Sequence, residues 1–162
     1  MHAMPSAVVL AETRKLREMG ARIQFVNAKL CYVRFQQDGI QIEYAYSINP
    51  SGKYHLERIK PYPLPLREFT HEEKLIEIIE IDLDQFRNAM AHDKNLAAFV
   101  DTCKEFHRVF QRFEDLYLYF DVSDEALADI RSRLDGIDAE IRGAISRHTR
   151  IYHRKEPDTL KD

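Results

Sequence analysis

In Ile40-Gln41-Ile42-Glu43-Tyr44-Ala45-Tyr46-Ser47-Ile48 the large apolar residues Ile40, Ile42, Tyr44, Tyr46 and Ile48 alternate with Gln41, Glu43, Ala45 and Ser47. Successive side chains of a strand point to opposite faces, so this period of two marks a strand with one face on a core and one toward water. Asp38-Gly39 stands just before it, the dipeptide that supplies the positive φ of a two-residue hairpin turn. Upstream of that turn, Arg22 to Gln36 is rich in β-branched and aromatic residues, among them Ile23, Phe25, Val26, Tyr32, Val33 and Phe35. Asn49-Pro50-Ser51-Gly52 makes a second turn, and Lys53 to Lys60 is expected to form a third strand. Two successive hairpins define an antiparallel meander.

Pro61, Pro63 and Pro65 follow. Each lacks an amide proton, which confines this stretch to an extended edge or crossing segment. Residues 73–83 carry two competing signals. Thr70 with Glu73 matches a capping box and argues for a helix. Ile76, Ile78, Ile79 and Ile81 are stiff at χ1 and argue for a pleated sheet. We take the stretch as a fourth strand, followed by a short helix that Asp82 or Asp84 caps and that runs through Phe86 and Met90.

An N-terminal helix is expected from about Ser6, its cap, to Met19, with Gly20 as the left-handed residue that ends it and Val8, Val9, Leu16 and Met19 as its apolar face. The C-terminal half reads as two heptad seams. Leu96, Phe99, Cys103, Phe106, Phe110, Phe113, Tyr117 and Phe120 form the first; Leu127, Ile130, Leu134, Ile137, Ile141, Ala144 and His148 form the second. Asp121-Val122-Ser123 joins them, with Ser123 as N-cap, and so short a connection makes antiparallel neighbours. A second helix from about Asp124 to His153 would be ~45 Å long, at ~1.5 Å per residue. Part of it should protrude or pack against another chain.

The fold class expected is therefore α+β: an N-terminal helix, an antiparallel β-meander of three or four strands, a short helix, and a long C-terminal α-helical hairpin with heptad seams. We expect a single domain over 1–154, with the meander at about 22–83, the hairpin at about 94–153 with one or both of its helices over the inner face of the sheet, and a frayed charged tail over 155–162.

The chain's 162 residues suit one compact domain, and 44% hydrophobic with 31% charged residues supports a buried core rather than disorder. Net charge is −3, which argues against a protein that coats nucleic acid through bulk charge. No apolar run approaches the ~20 residues of a membrane span. Ala7-Val8-Val9-Leu10-Ala11 is too short for the apolar centre of a signal peptide, and Cys31 and Cys103 suit a reducing compartment, so a cytoplasmic location is expected.

Three groups of residues are candidates for chemistry. Arg87-Asn88-Ala89-Met90-Ala91-His92 resembles the R-N-x-x-x-H motif of HEPN ribonucleases. That resemblance implies metal-independent RNA cleavage across a dimer of helical hairpins, with Arg87 and His92 catalytic and Asn88 orienting them. His would move the 2′-hydroxyl proton and Arg would stabilise charge on the phosphate. It also implies an all-helical fold, whereas a meander precedes the motif here. The plain alternative is an exposed helix face opposite Phe86, Ala89 and Met90, with His92 favoured by the helix dipole.

The second group is the aromatic content of the sheet, Phe25, Tyr32, Phe35, Tyr44, Tyr46, Tyr54 and Tyr62, with Arg34, Lys53, Arg58 and Lys60 nearby. Aromatic platforms beside cations bind single-stranded nucleic acid. Register favours a core role for Tyr44 and Tyr46 and leaves Tyr32 and Arg34 exposed together. The third group is a basic segment, Arg142, Arg147, His148, Arg150, His153, Arg154 and Lys155, able to meet phosphates or to solvate a helix end. Cys103 and His107 stand four apart, but two ligands make no metal site, and no cofactor motif accompanies them. A turn at 121–123 would place His107 near Asp138.

The function expected is a non-enzymatic interaction or regulatory module, a homodimer through its C-terminal helices, whose partner is a protein or a small ligand held between sheet and helices. The alternatives are the HEPN-like ribonuclease and a single-stranded nucleic-acid binder using Tyr32, Arg34, Arg58, Arg147, Arg150 and Arg154. No cofactor, metal or membrane is called for.

Overall fold

The computed structural model describes residues 7–25, 28–37, 39–92 and 95–160, with side chains from residue 12 onward. The element order is α1 (Ala7–Glu18), β1 (Lys29–Gln37), β2 (Ile40–Ile48), β3 (Tyr54–Lys60), β4 (Leu64–Phe69), α2 (Glu72–Ala91), α3 (Leu96–Tyr119) and α4 (Asp124–Ile145). The expected cap Ser6, the strand residue Val26 and the turn residue Asp38 lie outside the described residues, as do the side chains of Val8 and Val9.

The meander is a four-stranded antiparallel sheet in the order β1-β2-β3-β4. Gln37 pairs with Ile40 across the first turn, and Gly39 takes φ +86° there, a backbone state open to glycine at little cost. The second turn is built by Asn49. Its Oδ1 accepts from the Ser51 amide at 3.0 Å and the Lys53 amide at 2.8 Å, and Gly52 donates to the Asn49 carbonyl at 2.9 Å. The first strand begins at Lys29 rather than Arg22, and residues 21–25 are irregular. The proline-bearing stretch supplies the fourth strand. Pro65 lies in β4, and β4 is an edge, where a missing donor leaves no central ladder broken.

The fourth strand expected at 73–83 is instead the first half of α2, a single helix through Ala91. Its buried residues, Leu75, Ile79, Asp82, Leu83 and Phe86, fall at i, i+4, i+7, i+8 and i+11, one stripe of a helix. Packing of that stripe outweighs the few tenths of a kcal/mol that each β-branched residue costs in a helix. Neither expected cap forms. His71 is the N-cap with no side-chain bond, Glu72 and Glu73 offset the helix dipole instead, and Asp82 and Asp84 both lie mid-helix.

The core consists of Ile42, Tyr44 and Leu56 from the sheet, Leu75, Ile79, Leu83 and Phe86 from α2, and Leu96 and Val100 from the start of α3. Thus α2 covers the inner face of the sheet, and the hairpin contributes only its base rather than a whole helix. Asn95 caps α3 through the Ala98 amide at 3.0 Å, and Ser123 caps α4 through the Ala126 amide at 3.2 Å, as its sequence position predicts. The second hairpin helix ends at Ile145, short of the expected His153. Beyond it the chain leaves helical geometry to lie against α2. The Asn88 side chain donates to the Ile151 carbonyl at 3.2 Å, and the Tyr152 hydroxyl donates to Asp84 at 3.1 Å. The stretch expected to fray is tied back in part, with Asp158 paired to Arg67 at 2.8 Å. Among the described residues, no helix is long and apolar enough to cross a membrane.

Candidate functional site: a projecting hairpin and a buried polar cluster

The hairpin leaves the domain and returns to it. Leu96 is packed into the core at its outgoing end, and Ile151 is held on α2 just after its incoming end. Between them α3 is ~36 Å and α4 ~33 Å long, at ~1.5 Å per residue, and the two are not closely packed along their length, contrary to the expectation from their short connection. Outside its first turns α3 has no buried residue, and α4 has none at all. Yet both seams are apolar. Phe106 is 50% exposed, Phe110 62%, Leu134 52% and Ile141 47%, and Tyr117, Phe120, Ile137 and Ile145 are exposed as well. The flanking charges are of both signs and pair locally, Arg108 with Glu105 on α3, Arg142 with Asp138 on α4, and Arg147, just past the end of α4, with Glu140. Asp138 therefore faces Arg142 rather than the expected His107.

A second feature lies at the hairpin's base. Arg58 follows Leu56 at the alternation of β3, so its side chain enters the core, where it is only 3% exposed. Its Nη1 donates to Asp82 Oδ1 at 2.6 Å, and the Tyr44 hydroxyl donates to Asp82 Oδ2 at 2.7 Å. The guanidinium carbon stands 4.4 Å from the Tyr62 ring centroid and 5.1 Å from that of Phe86. Arg58 Nε has no hydrogen-bond partner, alone among the buried side-chain polar atoms of the described residues. Burial, and then the Asp82 carboxylate, hold the Tyr44 phenol protonated far above its ordinary range. Burial also raises Tyr62. The cluster borders a cavity of about 360 Å³ walled by Tyr62, Phe86, Phe99 and Leu96, with Gln85, Ala89, Asn95 and Ile151 completing it.

Arg87, Asn88 and His92 sit at the C-terminal end of α2. Arg87 and His92 are exposed, and His92 Nδ1 lies 2.8 Å from the Asn88 carbonyl. The Asn88 amide is committed to Ile151, and a four-stranded sheet precedes the motif in place of the all-helical fold that its resemblance implies. Tyr32 and Arg34 do share the exposed face of β1, and Arg34 meets Glu43 at 3.1 Å. Arg58, expected beside them, is on the opposite, buried face because it shares the parity of Leu56 and pairs with Tyr44 across β2 and β3. Arg147 is held by Glu140, Arg150 by Glu156 at 2.7 Å, and Arg154 by Asp84 at 3.5 Å. The proposed nucleic-acid residues are thus dispersed, and each exposed arginine of the set already faces a carboxylate.

Cys103 is half-buried against Tyr62, and burial raises its thiol above the ordinary value, which disfavours the thiolate a nucleophile needs. Among the described residues, no three His, Cys, Asp or Glu side chains gather where they could hold a metal ion.

The fold and these two features define an α+β sheet-and-helix domain bearing a helical arm. Comparison with protein families, with curated proteins and with solved structures returned no match.

Proposed function

We infer that the protein is a non-enzymatic interaction module whose helical arm pairs with the arm of a second copy, two hairpins making a four-helix bundle. The observation that carries this reading is the absence of any buried residue on α4 together with its exposed Leu/Ile seam. Helices owe most of their stability to the burial of an apolar face, and a seam left half in water calls for a cover. A second copy supplies one directly. The two seams are alike in length and spacing, and a two-fold axis brings the same surface of each chain together. The flanking charges select no acidic or basic partner, because they are mixed and already paired within each helix.

Phe110→Glu and Ile141→Glu place charges on the two seams at exposed positions outside the core. Sedimentation should show the wild-type chain as a dimer and each variant as a monomer, with the far-ultraviolet signal of the sheet and α2 retained. A wild-type chain that sediments as a monomer, or variants that remain dimeric, would reject the reading.

A further inference from the structure

We propose that the cavity at the base of the arm is a small-molecule site for an uncharged, flat ring that carries a carbonyl or similar hydrogen-bond acceptor. Its volume of about 360 Å³ lies within the usual range for ligand pockets. Its walls are mainly apolar and include three rings, Tyr62, Phe86 and Phe99. Phe99 meets Tyr62 edge-on at 5.6 Å, and the core residue Phe86 stands with its ring centroid 5.1 Å from the Arg58 guanidinium carbon. Rings arranged in this way accept another ring.

Arginine has five N–H donors, and here the bond to Asp82 uses Nη1, so among the described residues the Nη2 donors of this cavity-lining guanidinium are left for a ligand. Hydrogen bonds to an ionised donor are stronger than neutral ones, so a group that accepts from this buried guanidinium gains more than it would at the surface. The choice of an uncharged ligand follows from Asp82. It lines the same cavity as Arg58, so the site holds one positive and one negative charge and is neutral as a whole. An anion would gain Arg58 but meet the Asp82 carboxylate after losing its water. Gln85 and Asn95 offer further donors and acceptors at the lining.

This site does not need the arms to pair, because its residues come from β3 and the turn after it, α2, the first turn of α3 and Ile151 beyond α4, all within one chain at the base of the arm. The test is a titration of the full-length chain with benzamide, followed by 15N–1H correlation spectra that include the arginine Nε–H and the side-chain amides. Benzamide should shift the Arg58 Nε–H, Gln85 and Asn95 signals together, and benzoate should bind about ten-fold more weakly. Ala89→Leu fills the cavity from α2 and should abolish those shifts. Shifts that fall elsewhere, no saturable shift with benzamide, tighter binding of benzoate, or unchanged binding by a folded Ala89→Leu chain would each overturn the proposal. The mapping on the wild-type chain decides the matter even where Ala89→Leu does not fold.

Discussion

The Arg58 guanidinium and the Asp82 carboxylate meet at 2.6 Å inside the core and tie β3 to α2 where the helix packs on the sheet. Burying two charges costs several kcal/mol per ion before their attraction is counted, so the pair is better understood as fixing how α2 sits on the sheet than as a large net source of stability. Tyr44 completes it by donating to the second carboxylate oxygen at 2.7 Å.

Removing one member alone should be severe. Arg58→Met leaves Asp82 charged and buried without its cation, and should cost about 3–5 kcal/mol in urea denaturation. The triple replacement Arg58→Met, Asp82→Leu, Tyr44→Phe removes every member of the network and should recover most of that loss. All chains must be compared at one protomer concentration, because self-association adds to apparent stability. A triple variant as unstable as Arg58→Met would show that the cluster contributes net stability.

Tyr44 also predicts an alkaline limit. Its folded-state pKa is raised above the ordinary value of 10.0, so the folded chain keeps a proton that the unfolded chain releases. Its contribution is therefore fully present below about pH 10 and is lost as pH rises from there toward the folded value. Urea midpoints should fall above pH 10 more steeply for wild type than for Tyr44→Phe. Equal slopes would mean that the phenol ionises in the fold as freely as outside it. Near neutral pH the same substitution should cost about 1.5–3 kcal/mol, the usual worth of a hydrogen bond to a charged group.

The R-N-x-x-x-H string makes a separate test. Its Asn88 side chain holds the Ile151 carbonyl, so Asn88→Ala should loosen the return of the chain onto α2, seen as faster amide exchange over residues 150–153. The interaction-module reading expects a single-stranded RNA to remain intact with wild type and with His92→Ala alike. Cleavage that disappears in His92→Ala would make the motif catalytic and replace that reading.

Local signals in the sequence carried the meander, its two turns, the edge position of the proline stretch and the Ser123 cap, because each depends on residues within a few positions of one another. The Ile run at 76–81 was misleading. Its β-branched side chains favour a strand locally, and only the distant partners Ile42, Tyr44 and Leu56 make the 75, 79, 83 and 86 stripe the better solution. That one reversal hid the site as well. With residues 73–83 taken as a strand, Asp82 looked like a helix cap, and nothing pointed to its meeting with Arg58. The signal was present in part: Arg58 shares the inward parity of Leu56, which marks it as a buried charge in need of a partner. The return of Ile151 and Tyr152 onto α2 joins residues more than sixty positions apart and has no local signature.

The most direct measurement of the central claim is the solution mass of the full-length wild-type chain by light scattering across a range of micromolar concentrations. Paired arms predict twice the 19.1 kDa of one chain, falling toward a single chain only on strong dilution. A mass of one chain throughout would leave the α3 and α4 seams without the cover that the account assigns them, and would contradict it.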